Sequence, residues 1–179
     1  MRAEKPIIQP AFSDTRKVAY AVVLIAIGVA LAPYSSFPIG IAKVNPTQHF
    51  INVLGAVLLG PLWAMIIAGV VGIIRNAMGV GTLLAFPGGM IGALLAGLLF
   101  KYGKRTVWAA LGEIIGTGII APVVSAAFVA PVLMGKAIPW LALMPPFMLS
   151  AITGAVLGIL AINMLAKAGL IDIWQGRKI

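Results

Sequence analysis

Long apolar runs, broken by glycine, proline and scattered basic residues and not by polar turns, leave this chain few ways to fold. Its mean hydropathy is +1.10, with 61% hydrophobic and 9% charged residues, against about 45–50% apolar and about 25% charged in soluble domains. A soluble fold of 179 residues cannot hide that much apolar surface. A bilayer accepts it, provided the backbone is satisfied within helices. The expectation is therefore an all-α integral membrane protein: one domain, a bundle of about six transmembrane helices.

The punctuation sets the helices at roughly 17–34, 46–59, 62–78, 88–102, 106–134 and 141–168. Arg2, Lys5, Arg16 and Lys17 precede the run from Val18 to Ala32, which lacks a small-residue cleavage site and reads as a retained first helix. Residues 35–44, with Pro38 and Gly40, read as a loop. Asn45 is placed to cap the second helix, Pro46 suits its first position, and Gln48 sits where a capping-box partner reaches back. Gly60-Pro61 marks a turn, and residues 79–87 form a glycine-punctuated loop. Pro122 and Pro131 should kink the fifth helix. Pro145-Pro146 lie near the start of the sixth, and residues 171–179 read as an amphipathic or frayed tail.

The formal charge is +9, yet the basic residues flank apolar segments and form no face for nucleic acid. They report orientation instead. With six helices, all thirteen Lys and Arg except Lys43, Arg75 and Lys136 fall on the side shared by the two termini, so both termini are expected to be cytoplasmic. The chain has no cysteine and one histidine, which excludes thiolate and multi-histidine metal centres. No cofactor is expected.

Polar residues inside such a bundle are functional suspects. Counting about 1.5 Å per helical residue sorts them into two layers. The outer layer holds Asn45, Gln48, His49 and Asn52, then Arg75, Asn76 and Thr82, then Ser125, Ser150 and Thr153, with Tyr34, Phe37, Phe86 and Trp140 at the same level. Gln48 and Asn52 (i,i+4) and His49 and Asn52 (i,i+3) share a helix face. They either bind a ligand at the bundle mouth or cap the helix and tie loops. Arg75 either snorkels to headgroups, orders the 79–87 loop, or contacts a ligand. The inner layer holds Glu113, Thr117 and Asn163. Glu113 either carries protons or substrate, or is satisfied structurally by Asn163. Small residues near Ala26, along 88–97, and at Gly112, Gly116 and Gly118 permit close helix approach.

The residues Arg75-Asn76, Gly81-Thr82, Ala85-Phe86-Pro87-Gly88, Gly92-Ala93, Gly112-Glu113 and Gly116-Thr117-Gly118 resemble the ThiW family. These are substrate-binding S components of energy-coupling factor (ECF) transporters associated with the thiazole half of thiamin. The resemblance implies a high-affinity binder of hydroxyethylthiazole in the cytoplasmic membrane of a prokaryote. It implies no ATPase in the chain itself, which carries no phosphate loop. The implied partners are a transmembrane coupling subunit and two ATP-binding subunits. It places the ligand near the outer face, under the 35–44 and 79–87 loops and 136–140, and docks the coupling subunit on helix 1. There Val22, Ala26 and Ala30 match the small-residue pattern, imperfectly because Val22 stands at its first position. Stacking would fall to Trp140, Phe86 or Tyr34, and hydrogen bonds to His49, Asn52 or Asn76. Delivery would follow rotation of the loaded binder against the coupling subunit.

Three rival readings are a binder of thiamin or its pyrimidine precursor, a stand-alone carrier, and a membrane enzyme using Glu113 with His49 or Arg75. The carrier lacks internal repeats or a row of ionisable groups. The enzyme is disfavoured by a depth difference of ~11 Å between Glu113 and Arg75.

Overall fold

The structure is a computed structural model that describes residues 14–171. Arg2, Lys5, Arg177, Lys178 and the expected tail after Ile171 lie outside the described residues. Among those described, the chain forms helices α1 (Asp14–Ser35), α2 (Pro46–Leu58), α3 (Pro61–Ala77), α4 (Ala85–Gly103), α5 (Thr106–Leu133) and α6 (Trp140–Lys167). Strands β1 (Phe37–Ile39) and β2 (Ala42–Val44) intervene between α1 and α2.

Four of these helices, α1, α4, α5 and α6, are long and apolar enough to cross a membrane; α3, with 17 residues, is apolar but shorter. Large apolar side chains such as Val22, Leu62, Phe128, Val132 and Leu160 point outward and are exposed. Lipid is the solvent that makes such a surface stable.

Helix α2 is the axis of the bundle. Its 13 residues span about 20 Å at ~1.5 Å per residue, short of the ~30 Å hydrocarbon layer. It packs against α1, α3, α4, α5 and α6, and nearly every residue from Thr47 to Leu58 is buried. Surrounded in this way, it has no lipid to match in length. Asn45 caps it as expected from its sequence, its side chain accepting from the Gln48 backbone N–H at 2.8 Å. The expected return contact from Gln48 is absent: that side chain turns to α3, and the Asn45 backbone N–H bonds Ser150 Oγ at 2.8 Å instead.

Two segments depart from the expected loops. Residues 37–44 form an antiparallel hairpin pairing Phe37 with Val44 and Ile39 with Ala42. Gly40 takes φ +59° in the two-residue turn, a conformation that only glycine adopts without strain. Helix α4 starts at Ala85 rather than Gly88, because Pro87 falls in its first turn, where its missing N–H has no helical partner to lose. Around Pro122 and Pro131, α5 widens into π-type turns at Gly116–Ile120 and Ser125–Leu133. Absorbing prolines by wide turns is the form the expected irregularity takes.

The main core joins Ile51, Val53 and Leu54 of α2 to Ile67 and Val71 of α3, Ala93, Ala96 and Phe100 of α4, and Ala109 of α5. A second, smaller core of Ala42, Leu84, Ala121, Ala130, Leu143 and Phe147 lies against the hairpin. The polar cluster described next lies among α2, α4, α5 and α6.

Candidate functional site

The site grows from the first turns of α2. Pro46 starts that helix immediately after the hairpin, and this fixes the direction of Gln48, His49 and Asn52. The Glu113 side chain meets them from α5. Its Oε1 lies 2.7 Å from His49 Nδ1, 3.0 Å from Asn52 Nδ2 and 2.8 Å from Thr117 Oγ1. Asn52 Nδ2 also donates to the Gly89 carbonyl at 3.0 Å, and Thr117 Oγ1 reaches the Gly88 carbonyl at 2.8 Å. One carboxylate oxygen thereby ties α2, α4 and α5 together. Glu113 and Asn52 are each 0% exposed, and Glu113 Oε2 and Asn52 Oδ1 have no protein partner.

Close backbone approach makes this possible. A Cβ on Gly92 would collide with Thr117 Oγ1 and stand 2.7 Å from Glu113 Oε1. A Cβ on Gly154 of α6 would run into the Pro46 carbonyl and stand 2.6 Å from His49 Cβ. The absent side chains are the space in which the cluster sits.

In front of the cluster is a small, half-open cavity bounded by Lys43 of β2, His49 of α2, Ala85 and Gly88 of α4, Thr117 of α5, and Phe147 and Ser150 of α6. Lys43 Nζ donates to the Gly79 carbonyl at 2.9 Å, joining the hairpin to the loop after α3. Beside the cavity, Arg75 is buried and donates to Gln48 Oε1 at 2.7 Å and, at 3.4 Å, to Ser36 Oγ.

The family model described as thiamine-precursor transporter protein (ThiW) matches residues 18–168. The chain belongs to the ThiW family. A solved chain described as the S component of a bacterial ECF transporter superposes with a TM-score of 0.72 at 19% identity, over 87% of this chain and 98% of that one. That likeness extends to the fold. A comparison with curated proteins gave no match. ThiW proteins are transporters, so the buried carboxylate and imidazole belong to a transporter and not to an enzyme's catalytic set.

Within this ThiW chain, the two expected polar layers are one. His49 and Asn52 were assigned to the outer layer and Glu113 to the inner, yet they are hydrogen-bonded. Depth counted from helix ends assumes that the ends lie in common planes, whereas short α2 sits inside the bundle and the glutamate side chain bridges the remaining depth. Asn163 does not pair with Glu113. It lies on the exposed side of α6, one residue beyond the buried line through Ser150, Gly154, Gly158 and Ile162.

Arg75 does not snorkel. Its side chain points into the bundle, while its backbone carbonyl orders the following loop by accepting from Val80 and Gly81. Asn76 donates to the Gly72 and Thr82 carbonyls, and Ser125 to the Leu84 carbonyl at 2.8 Å, so both hold backbone rather than face the cavity. Of the expected aromatics, Trp140 and Tyr34 are exposed and line nothing here. Phe86 packs toward Gly72. The cavity's aromatic wall is Phe147, which the sequence reading passed over. It lies three residues before Ser150 and therefore on the same helix face. Lys43 was also missed as a lining residue. Val22, Ala26 and Ala30 are all on the exposed face of α1, opposite its buried line of Ala21, Leu24, Gly28 and Ala32.

Proposed function

We propose that this chain is the substrate-binding S component of an ECF transporter and that it captures hydroxyethylthiazole, the thiazole alcohol precursor of thiamin. The observation that carries the reading is the composition of the cavity wall. It combines one aromatic face, Phe147, with a few convergent polar groups, His49, Thr117, Ser150 and Lys43. Small-molecule sites have this composition, mostly apolar with a few placed polar atoms. Charge favours the thiazole alcohol over thiamin, since Lys43 at the wall repels the cationic thiazolium of thiamin, whereas the free thiazole alcohol is neutral.

The remainder of the proposal follows from that role. Six helices cross the cytoplasmic membrane of a prokaryote, with both termini on the cytoplasmic side. The exposed face of α1 at Val22, Ala26 and Ala30 receives the coupling subunit, and two further subunits supply ATP hydrolysis. This chain needs no cofactor. Arg75, Gln48 and Asn45 shape the site by joining α2 to α3 and to the segment after α1. They are not expected to contact the ligand.

Titration calorimetry on the purified full chain in lipid nanodiscs tests this. Saturable binding of hydroxyethylthiazole is expected, at least tenfold tighter than thiamin or hydroxymethylpyrimidine. Binding of either competitor without the thiazole would overturn the substrate assignment. Substrate accumulation by this chain alone in liposomes would overturn the division of labour with separate ATP-binding subunits.

A further inference from the structure

The geometry points to Glu113 as the residue that fixes the tautomer of His49, making the cavity a site for a neutral ring that carries a hydroxyl donor. This inference deepens the function proposed above and rests on it for the identity of the ring.

Asn52 sets the role of the shared oxygen. Its amide nitrogen can only donate, and its two hydrogens go to the Gly89 carbonyl and to Glu113 Oε1, both at 3.0 Å. Glu113 Oε1 is therefore acting as an acceptor. His49 Nδ1 stands 2.7 Å from that same oxygen, a distance at which two lone pairs repel and a hydrogen must lie between them. As a carboxylate Glu113 has only acceptors, so the hydrogen belongs to Nδ1. A neutral imidazole has one N–H, so the lone pair is left on Nε2. His49 lines the cavity, and Nε2 is the polar ring atom not engaged by Glu113.

The other polar groups of the wall have complementary duties. Ser150 Oγ already accepts from the Asn45 N–H, which leaves its own hydrogen for a ligand. Lys43 has only donors. The single Thr117 hydrogen is shared between the Gly88 carbonyl and Glu113 Oε1, so none is left for a ligand. His49 Nε2 thus adds an acceptor to a wall whose other free polar groups, on Ser150 and Lys43, are donors. A heteroaromatic alcohol fits this set: its hydroxyl hydrogen goes to Nε2 and its ring nitrogen accepts from Ser150 or Lys43. Glu113 is fully buried behind His49 and does not line the cavity, so it is a positioning residue.

The single histidine of the chain makes the test direct. With a histidine-free affinity tag and ¹⁵N-labelled histidine, the folded protein yields one imidazole nitrogen pair. The expected spectrum has a protonated Nδ1 and an unprotonated Nε2; a protonated Nε2 overturns the inference. In parallel, affinity is measured for hydroxyethylthiazole and for 4-methyl-5-ethylthiazole, which lacks only the hydroxyl. The wild type should prefer the alcohol by about tenfold, the worth of one well-made hydrogen bond. In Glu113→Met that ratio should fall toward one, and in Glu113→Gln, which keeps a carbonyl oxygen for Nδ1, it should recover. A folding fault lowers both affinities together and leaves the ratio unchanged, so an unchanged ratio in Glu113→Met counts against the inference. If the wild type binds neither thiazole, the proposed function fails, while the nitrogen spectrum still decides the tautomer.

Discussion

Replacing Gly92 by alanine is expected to cost about 3 kcal/mol of stability and to abolish ligand binding, although the change adds one methyl group in an apolar helix. In an ordinary helix interior this substitution gains roughly 0.5–1 kcal/mol. Here the new carbon would collide with Thr117 Oγ1 and press on Glu113 Oε1 at 2.7 Å. Separating α4 from α5 would relieve the clash only by breaking their close backbone packing, in which a Cβ on Gly116 would meet Gly92 Cα at 2.7 Å. Either route disturbs the carboxylate that holds His49 and Asn52. Gly69→Ala in α3 is the control, since its Cβ would meet only the Met90 side chain, Sδ at 3.7 Å and Cε at 3.8 Å, both ordinary contacts. Denaturant unfolding in mild detergent, with ligand titration on the same samples, should separate the two. Equal stability of the two variants would show that the α4–α5 contact yields more easily than its geometry implies.

Much of this arrangement was legible in the residues. Asn45-Pro46 announces the start of α2 because a side-chain acceptor followed by a residue with no N–H suits a helix N-terminus. The i,i+3 and i,i+4 spacing of Gln48, His49 and Asn52 fixes a shared face whatever surrounds it. Glu113 stands out because an intramembrane carboxylate is costly without partners. The identity of those partners was not legible. Depth counted from helix ends separated Glu113 from His49, and it failed because α2 is a short helix sheltered by its neighbours and long side chains reach across layers. The same counting offered Asn163 as a partner, but rotation about the α6 axis places it outside the bundle.

Aromatic recognition shows a related limit. Trp140 and Tyr34 are amphipathic rings of the kind that settle at membrane interfaces, so their presence near helix ends does not distinguish a ligand wall from a lipid boundary. Phe147 carries no polar handle and reads as one more apolar residue of a long helix. Its importance arises only when Gly88 of α4 brings that helix close enough to enclose a space with it, a Cβ on Gly88 standing 3.6 Å from Phe147 Cε2. The fold is written in periodicity and punctuation, whereas the cavity is written in the positions where side chains are missing.

The second large effect is expected from the His49–Glu113 contact, measured as a double-mutant cycle. Glu113→Met should cost about 2–4 kcal/mol, because it removes a buried acceptor on which three side chains converge. Two of those side chains have an alternative. Thr117 keeps the Gly88 carbonyl at 2.8 Å and Asn52 keeps the Gly89 carbonyl at 3.0 Å, so His49 Nδ1 is the group left without its partner. His49→Leu alone is also costly, since it takes a donor from a fully buried carboxyl group whose Oε2 already has no protein partner. With both residues changed, neither orphan remains. The double variant should therefore be more stable than the sum of the single losses predicts, by about 1–3 kcal/mol. Unfolding of the four proteins in the same detergent provides the measurement. Additivity within about 0.5 kcal/mol would mean that the 2.7 Å contact couples the two residues no more than chance neighbours. The carboxylate would then be held by Asn52 and Thr117 alone, and the imidazole would be free to take either tautomer.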